Sequence, residues 1–390
     1  MKVYIGCFGS GLGHASRMLE VAKELRSRNA LVEFSSSGEV ASLIRGHGYP
    51  CNDLPLADVQ YSESGAFLLK ETLIAYPSIL ARTYRQLGEE IANIERFGPD
   101  VVLSDSALST VLAAKILRVP AYTVLNQLNL TSSHGNKGVL SRLLSVGISA
   151  ATGKLWEFSD EVLLPDLPPP YTISEKNLWG SNVEKTRYVG FLAPSEGGEP
   201  DNDRAAAEFI KDKRPKVFWQ VSGPPKTRSS FLKMALEYSE ALANKYSFVV
   251  SGGDPMAGTV PTRFPGGWFY GWCGIAEFYF RACDLVVSRA GHGTIGQAIL
   301  WSRPSLLVPI PKQPEQEGNA EKAAELGVSI WHRQEELTVE VLEKSFNALL
   351  NGDYAGSTKR FGDLARRYDA KADIVHTIEA ASTRARRQPR

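Results

Sequence analysis

Cysteine is scarce in this sequence. Cys7, Cys51, Cys273 and Cys283 are the only four among 390 residues, with no C-x-x-C pair and no metal-ligand spacing. That excludes a disulfide-stapled scaffold and a zinc ribbon. A reduced, cytoplasmic chain is the simplest reading. Surplus charge is lacking as well: 44 Lys and Arg stand against 43 Asp and Glu, a net charge of +1. Such a balance gives no bulk attraction to nucleic acid or to a membrane, and no nucleic-acid partner is expected. Without a run of about 18 apolar residues, no transmembrane helix is expected. The N-terminus has one lysine and then a short strand-like run broken by glycines, which does not read as a signal peptide. Any membrane role is expected to be peripheral.

What is present is ordinary globular material, 43% hydrophobic and 22% charged, long enough for two domains. Strand and helix patterns alternate. Val3–Phe8 reads as a strand and Ala15–Arg28 as a helix with Met18, Leu19, Ala22 and Leu25 on one face. A second strand, Leu31–Phe34, follows. An apolar stripe with helical spacing runs over 67–97, with Pro77 expected to kink or split it. Val101–Leu103 is a strand ending near Asp105. After the Pro-, Gly- and acid-rich stretch 191–203 the pattern restarts with "KVFWQVSG", "SFVVSGG", "DLVVSRAGHGT" and "PSLLVPI". Alternation of this kind predicts α/β domains with doubly wound parallel sheets. The expected organisation is a Rossmann-like domain over 1–192, a linker over 193–213 and a second Rossmann-like domain over 214–370. A final helix and basic tail, 371–390, is expected to pack back on the first domain or to fray.

Two glycine turns carry the chemistry. The first, "GSGLGH", ends at His14. Its G-x-G-x-G spacing misses the dinucleotide fingerprint, and the second strand ends in serines rather than the acidic residue a ribose needs, so NAD binding is disfavoured. The second turn follows a strand as Arg289-Ala290-Gly291-His292-Gly293-Thr294 and opens a helix. Free N–H groups at that helix start, with Arg289 as a forked cation, suit a phosphate. The plainer reading is a tight strand-to-helix turn. Downstream, Glu315, Gln316 and Asn319 suit a hydroxyl-rich ligand, and upstream Trp272 and Ile275 can flank a flat base.

In this order the segments resemble the donor half of GT-B glycosyltransferases. They are most similar to family 28, which includes the peptidoglycan GlcNAc transferase that makes lipid II and archaeal and eukaryotic lipid-linked GlcNAc transferases. UDP-glucuronosyltransferase-like enzymes are more distant. The resemblance rests on Gly271-Trp272, on Ser288-Arg289-Ala290-Gly291, on "PEQEGNA" at 314–320 and on the N-terminal "GSGLGH", and it is strongest over 1–17, 99–127 and 271–327. It implies two domains facing across a cleft, with a UDP-sugar held mainly by the second. Donor contacts are implied at Gly11, Gly13, Ser222, Gly223, Trp272, Ile275, Arg289 through Thr294, Gln297, Glu315, Gln316 and Asn319. Gln297 stands where the family usually has a ribose-binding glutamate, and "VSGPPKTR" replaces a glycine-serine-glutamine run.

His14 then reads as a base for an acceptor hydroxyl, with Asp105 at a neighbouring strand end to fix its tautomer. The bland alternatives are that His14 caps or packs in its turn and that Asp105 caps the next helix. His292 reads as a donor contact rather than a base. "DND" at 201–203 fits a metal motif but looks like a helix start, so no metal or other cofactor is expected. Residues 136–156 carry Val139, Leu140, Leu143, Leu144 and Ile148 on one helical face, with Lys137, Arg142 and Lys154 nearby and Gly147 interrupting. This stretch is either a core-facing helix or a peripheral contact on the cytoplasmic membrane face. The leading expectation is an inverting transferase moving a sugar, GlcNAc by resemblance, from a UDP-sugar to a lipid-linked acceptor. A nucleotide-sugar epimerase of the same fold and a non-catalytic binding or scaffold subunit are the alternatives.

Overall fold

The computed structural model describes residues 1–55, 76–127, 153–178, 185–194, 200 and 203–387. They divide into two units, the first ending at Leu192 and resuming at Tyr368, the second running from Ala193 to Arg367. Residues 136–152, most of the amphipathic stretch, lie outside the described residues. Among the described residues no helix is long and apolar enough to cross a membrane.

The first unit holds β1 (Lys2–Cys7), β2 (Leu31–Ser36), β3 (Cys51–Asp53), β4 (Val101–Asp105), β5 (Ala121–Val124), β6 (Glu161–Leu164) and β7 (Thr186–Tyr188). They pair in the order β3-β2-β1-β4-β5-β6-β7, every neighbour parallel. Its helices are α1 (Leu12–Ser27), α2 (Gly38–Gly46), α3 (Tyr76–Phe97), α4 (Leu108–Ile116) and α5 (Glu175–Leu178). Tyr4 and Val102 pack against Ile94 of α3 and Ala113 of α4. The strand order reverses between β1 and β4, and Cys7 lies in register with Asp105. The first glycine turn therefore emerges beside the end of β4, at the switch point where open α/β sheets bind ligands.

The second unit repeats the plan. Its helices are α6 (Arg204–Lys211), α7 (Pro225–Ala241), α8 (Ala276–Ala282), α9 (His292–Leu300), α10 (Pro314–Glu325), α11 (Val339–Asn351) and α12 (Tyr354–Ala365). Its strands are β8 (Lys216–Gln220), β9 (Ser247–Ser251), β10 (Thr262–Phe264), β11 (Gly267–Tyr270), β12 (Leu285–Ser288), β13 (Ser305–Leu307) and β14 (Ser329–Trp331). They pair as β10-β11-β9-β8-β12-β13-β14, parallel except for the β10–β11 edge hairpin. Both faces are buried. Val217, Trp219 and Val287 meet Phe231 of α7 and Phe346 of α11, while the alternating Phe218, Val249 and Val286 meet Phe209 and Tyr279. That is why these strands read as continuous apolar runs.

Several boundaries differ from the expectation. The stretch read as a linker contains α6, which buries Ala205, Ala206 and Phe209 in the second core. Asp203 caps it, accepting from the Ala206 N–H at 3.0 Å. The final helix is separate from the one before it. α12 ends at Ala365, and α13 (Ala370–Arg387) belongs to the first unit. The break is local: Asp369 caps α13 by accepting from the Ala372 N–H at 3.0 Å. A Cβ at Gly190, φ +89°, would lie 2.4 Å from the Cβ of Tyr368, so only glycine fits beside the chain there. The basic tail does not fray over its described part. α13 stays helical to Arg387, and Arg386 pairs with Asp100 at 2.9 Å. Arg28 reaches Glu379 at 3.2 Å, and Ile374, Val375 and Ile378 are fully buried.

The apolar face of α13 thus completes the first unit. Ile378→Ala is expected to cost about 2–5 kcal/mol and to lower the urea midpoint. An unchanged midpoint would detach α13 from the core.

Candidate active site

The glycine turn after β1 ends sooner than its sequence suggests. α1 begins at Leu12, capped by Gly11 at φ +88°, a left-handed conformation that side chains with a Cβ rarely adopt. His14 is therefore inside the first turn of α1 and is not its cap. Its Nδ1 lies 2.7 Å from Asp105 Oδ1. Asp105 does not cap α4 either. That helix start uses Ser104, whose Oγ accepts from the Ala107 N–H at 3.1 Å. Next to Asp105, Ser106 is held at φ +56°, a costly conformation for a non-glycine residue and one that concentrates at functional sites. Its hydroxyl donates to Asp105 Oδ1 at 3.2 Å.

Sequence reasoning missed Arg17. It lies one turn beyond His14 on the same helix face, and its Nε and Nη2 donate to both oxygens of Asp105. Nη1 donates to Asn126 Oδ1 at 3.1 Å. The signal was available as the i, i+3 pair in "GHASR", but an arginine in a helix reads as a solvated charge until β4 is placed beneath it. Asp105 is fully buried and Arg17 nearly so, while the His14 side chain keeps 22% of its surface. Burial alone would raise the Asp105 carboxyl. Arg17 and His14 outweigh it and hold the group down at about 2. An ionised carboxylate only accepts, so Nδ1 of His14 donates to it. Nε2 is left with its lone pair, which can take a proton.

The second unit brings its predicted residues to one sheet edge. Ser222 and Gly223 follow β8, Gly271 and Trp272 follow β11, and Arg289 through Thr294 follow β12. β8 and β12 are neighbours at the strand-order reversal, as β1 and β4 are in the first unit. α9 starts at His292, within the turn itself, and its cap Gly291 makes no side-chain bond. A Cβ at Gly291 or Gly293 would meet nothing within 4 Å, and the same holds at Gly11 and Gly13. The N–H groups of this first turn have no intrahelical acceptor. Trp272 and Ile275 are half-buried beside the turn after β11, and Glu315 is half-buried in the first turn of α10.

Three assignments are corrected by burial. Arg289, at 1% exposure, is turned inward rather than presented to a ligand. Its terminal nitrogens donate to the carbonyls of Val308, Pro309 and Thr227, each at 3.2 Å, and to Gln334 Oε1 at 2.8 Å. Its guanidinium carbon stands 4.1 Å from the Phe231 ring centre. Burial lowers this group to about 9, still charged at neutral pH. Gln316 accepts from the Ile310 N–H at 2.9 Å, and Asn319 donates to the Ala290 carbonyl at 3.1 Å. Asn319 thus braces the turn after β12, and Gln316 braces the segment after β13. Gln297 and His292 are also buried within α9. Arg289 looked like a phosphate ligand because sequence shows its place after β12 but not its rotamer.

Arg289→Met would strand buried carbonyls at about 1–3 kcal/mol each. Calorimetry should show a melting temperature lower by several degrees, and an unchanged one would show that these contacts contribute nothing. Asp105, with its folded carboxyl below its ordinary 3.8, stabilises the fold above about pH 4 and loses that contribution as pH falls toward 2. Asp105→Asn is therefore expected to be less stable than the parent at pH 7 and to lack this acid-dependent loss. A stability curve parallel to the parent's between pH 4 and 2 would contradict the pairing.

Comparison with known proteins agrees with this arrangement. Residues 275–372 match the glycosyltransferase family 28 C-terminal domain. An uncharacterized glycosyltransferase of Methanosarcina mazei is 29% identical over 384 residues, covering 97% of this chain and 98% of the relative. A UDP-N-acetylglucosamine–N-acetylmuramyl-(pentapeptide) pyrophosphoryl-undecaprenol N-acetylglucosamine transferase of Desulforamulus reducens is 23% identical, covering 97% and 98%. The crystal structure of the Streptomyces sp. SF2575 glycosyltransferase SsfS6 with thymidine diphosphate aligns with a TM-score of 0.66 at 20% identity, over 97% of this chain and 99% of that one. With two parallel-sheet units and both glycine turns at switch points, the chain has the GT-B fold, and its residues 275–372 carry the match to the glycosyltransferase family 28 C-terminal domain.

Proposed function

We propose that the protein transfers a sugar, GlcNAc, from a UDP-sugar to the hydroxyl of a lipid-linked pyrophosphate sugar, with inversion at the anomeric carbon. The observation that carries this reading is the His14–Asp105 pair, with Nε2 free to accept a proton at the carboxyl edge of the first sheet. As the acceptor oxygen attacks, its proton passes to Nε2. The bond from the anomeric carbon to the diphosphate breaks, and its electron pair leaves with UDP. The N–H groups of the first turn of α9 meet the charge that develops on the diphosphate, so this reading needs no metal. Trp272 and Ile275 border the base, and Glu315 takes sugar hydroxyls.

UDP, GlcNAc and the lipid carrier are supported by the Desulforamulus reducens relative, a UDP-N-acetylglucosamine transferase named for a pyrophosphoryl-undecaprenol acceptor. A thymidine nucleotide occupies the SsfS6 structure, so the base is the first thing to test. A lipid acceptor also implies that the protein works at the cytoplasmic membrane face.

Calorimetry without added metal is expected to show UDP binding in preference to GDP and dTDP. Preference for dTDP would replace UDP in this reading. His14→Ala should keep UDP affinity while losing about 100- to 10,000-fold in turnover of UDP-GlcNAc with a polyprenyl pyrophosphate sugar. Undiminished turnover would remove His14 from the mechanism. UDP-GlcNAc converted to an isomer without release of UDP would identify an epimerase.

A further inference from the structure

The His14–Asp105 pair carries a third member that the transferase reading does not require. A carboxylate beside an imidazole is enough to fix its tautomer. Here the same carboxylate is gripped on both oxygens by Arg17, 6% exposed. Arg17 also stands against the imidazole itself, with Nη2 3.3 Å from His14 Nδ1. Since Nδ1 donates its proton to Asp105, that approach is a cation close to the ring rather than a hydrogen bond.

The groups facing His14 can be named. From its own helix comes Arg17, and from β4 comes Asp105 with the Ser106 hydroxyl on Oδ1. The Phe8 ring meets the imidazole edge-on at 5.6 Å between centres. Cys7, opposite Asp105 in register, is a buried thiol pushed well up by desolvation and is neutral. Asn126, just beyond β5, holds the far arm of Arg17 and carries no charge. Among the described residues the cluster therefore sums to one cation, one anion and a titratable imidazole.

We propose that Arg17 is a positioning residue that sets the charge of the base. By cancelling Asp105 it makes the cluster neutral when His14 is neutral, and it withdraws the electrostatic support an isolated carboxylate would give to the imidazolium. An isolated buried carboxylate beside His14 would favour its protonation by about 1–3 pH units, leaving the imidazole occupied where it has to accept a proton. With both oxygens held by a guanidinium, Asp105 cannot draw the Nδ1 proton away either. The fork also fixes the carboxylate plane, and through it the ring. This proposal rests on His14 being the base, but its test does not.

The test is a histidine-selective NMR titration of the full-length protein, with the His14 signal identified by its loss in His14→Gln. Arg17→Gln is expected to move the His14 midpoint up by about one pH unit or more. Arg17→Lys keeps a charge but draws it back from Nδ1. It should move the midpoint in the same direction by less, so that the order is parent, lysine, glutamine. If the glutamine variant does not fold, the lysine variant decides by the same reading. A midpoint that stays with the parent in the folded variants overturns the proposal and leaves Arg17 a packing residue. Full transferase turnover in His14→Ala, with the titration order intact, would overturn the base reading and leave the charge assignment standing.

Discussion

The buried carboxylate of Asp105 is the constraint around which the first unit is arranged. A lone carboxylate in a dry sheet edge is costly enough that it would protonate instead. What keeps it ionised is the Arg17 fork, reinforced by His14. That contact needs α1 to begin at Leu12, so that His14 and Arg17 share a face, and it needs β1 and β4 paired with Cys7 opposite Asp105. A shift of one residue in that register would turn Asp105 to the other face of the sheet. The glycine turn matters less as a cradle than as the device that lets the helix start this close to the strand end.

A second buried carboxylate in the same unit shows what the arginine does. Glu90, fully buried on α3, accepts from the hydroxyls of Tyr4 at 2.6 Å, Ser35 at 2.8 Å and Thr110. Burial raises its carboxyl despite those three hydroxyls, which work in the opposite direction. Hydroxyls satisfy lone pairs without supplying charge, so Glu90 drifts toward its neutral acid while Asp105 stays an anion. One links helix to sheet. The other orients the His14 imidazole.

The two units use one topology for different chemistry. Each places a glycine turn and a helix start at the strand-order reversal. In the first, the turn delivers charged side chains to a carboxylate. In the second, it presents backbone N–H groups at Gly291–Thr294 with open space beside them, while Arg289 holds the floor of the turn through carbonyls. Two buried arginines thus have unlike tasks, because one faces a carboxylate and the other faces carbonyls.

Much of this was legible in the sequence. Apolar runs of four to six residues ending in glycine mark buried parallel strands, and helical spacing marks the layers that cover them. Composition excluded disulfide scaffolds, and the ordered motifs pointed to the donor half. His14 stood out because a phosphate cradle has no need of an imidazole. Tertiary structure alone decided the rest. That 370–387 belongs to the first unit depends on pairs such as Arg386–Asp100, formed by residues 286 positions apart. Arg17 and Arg289 exchanged their apparent importance, because sequence records charge and spacing along the chain but not which partner lies across the sheet. Asp105 is 88 residues from Arg17, and only strand order brings them together. The motifs were local and survive as text, whereas the charge state of the site is a property of packing.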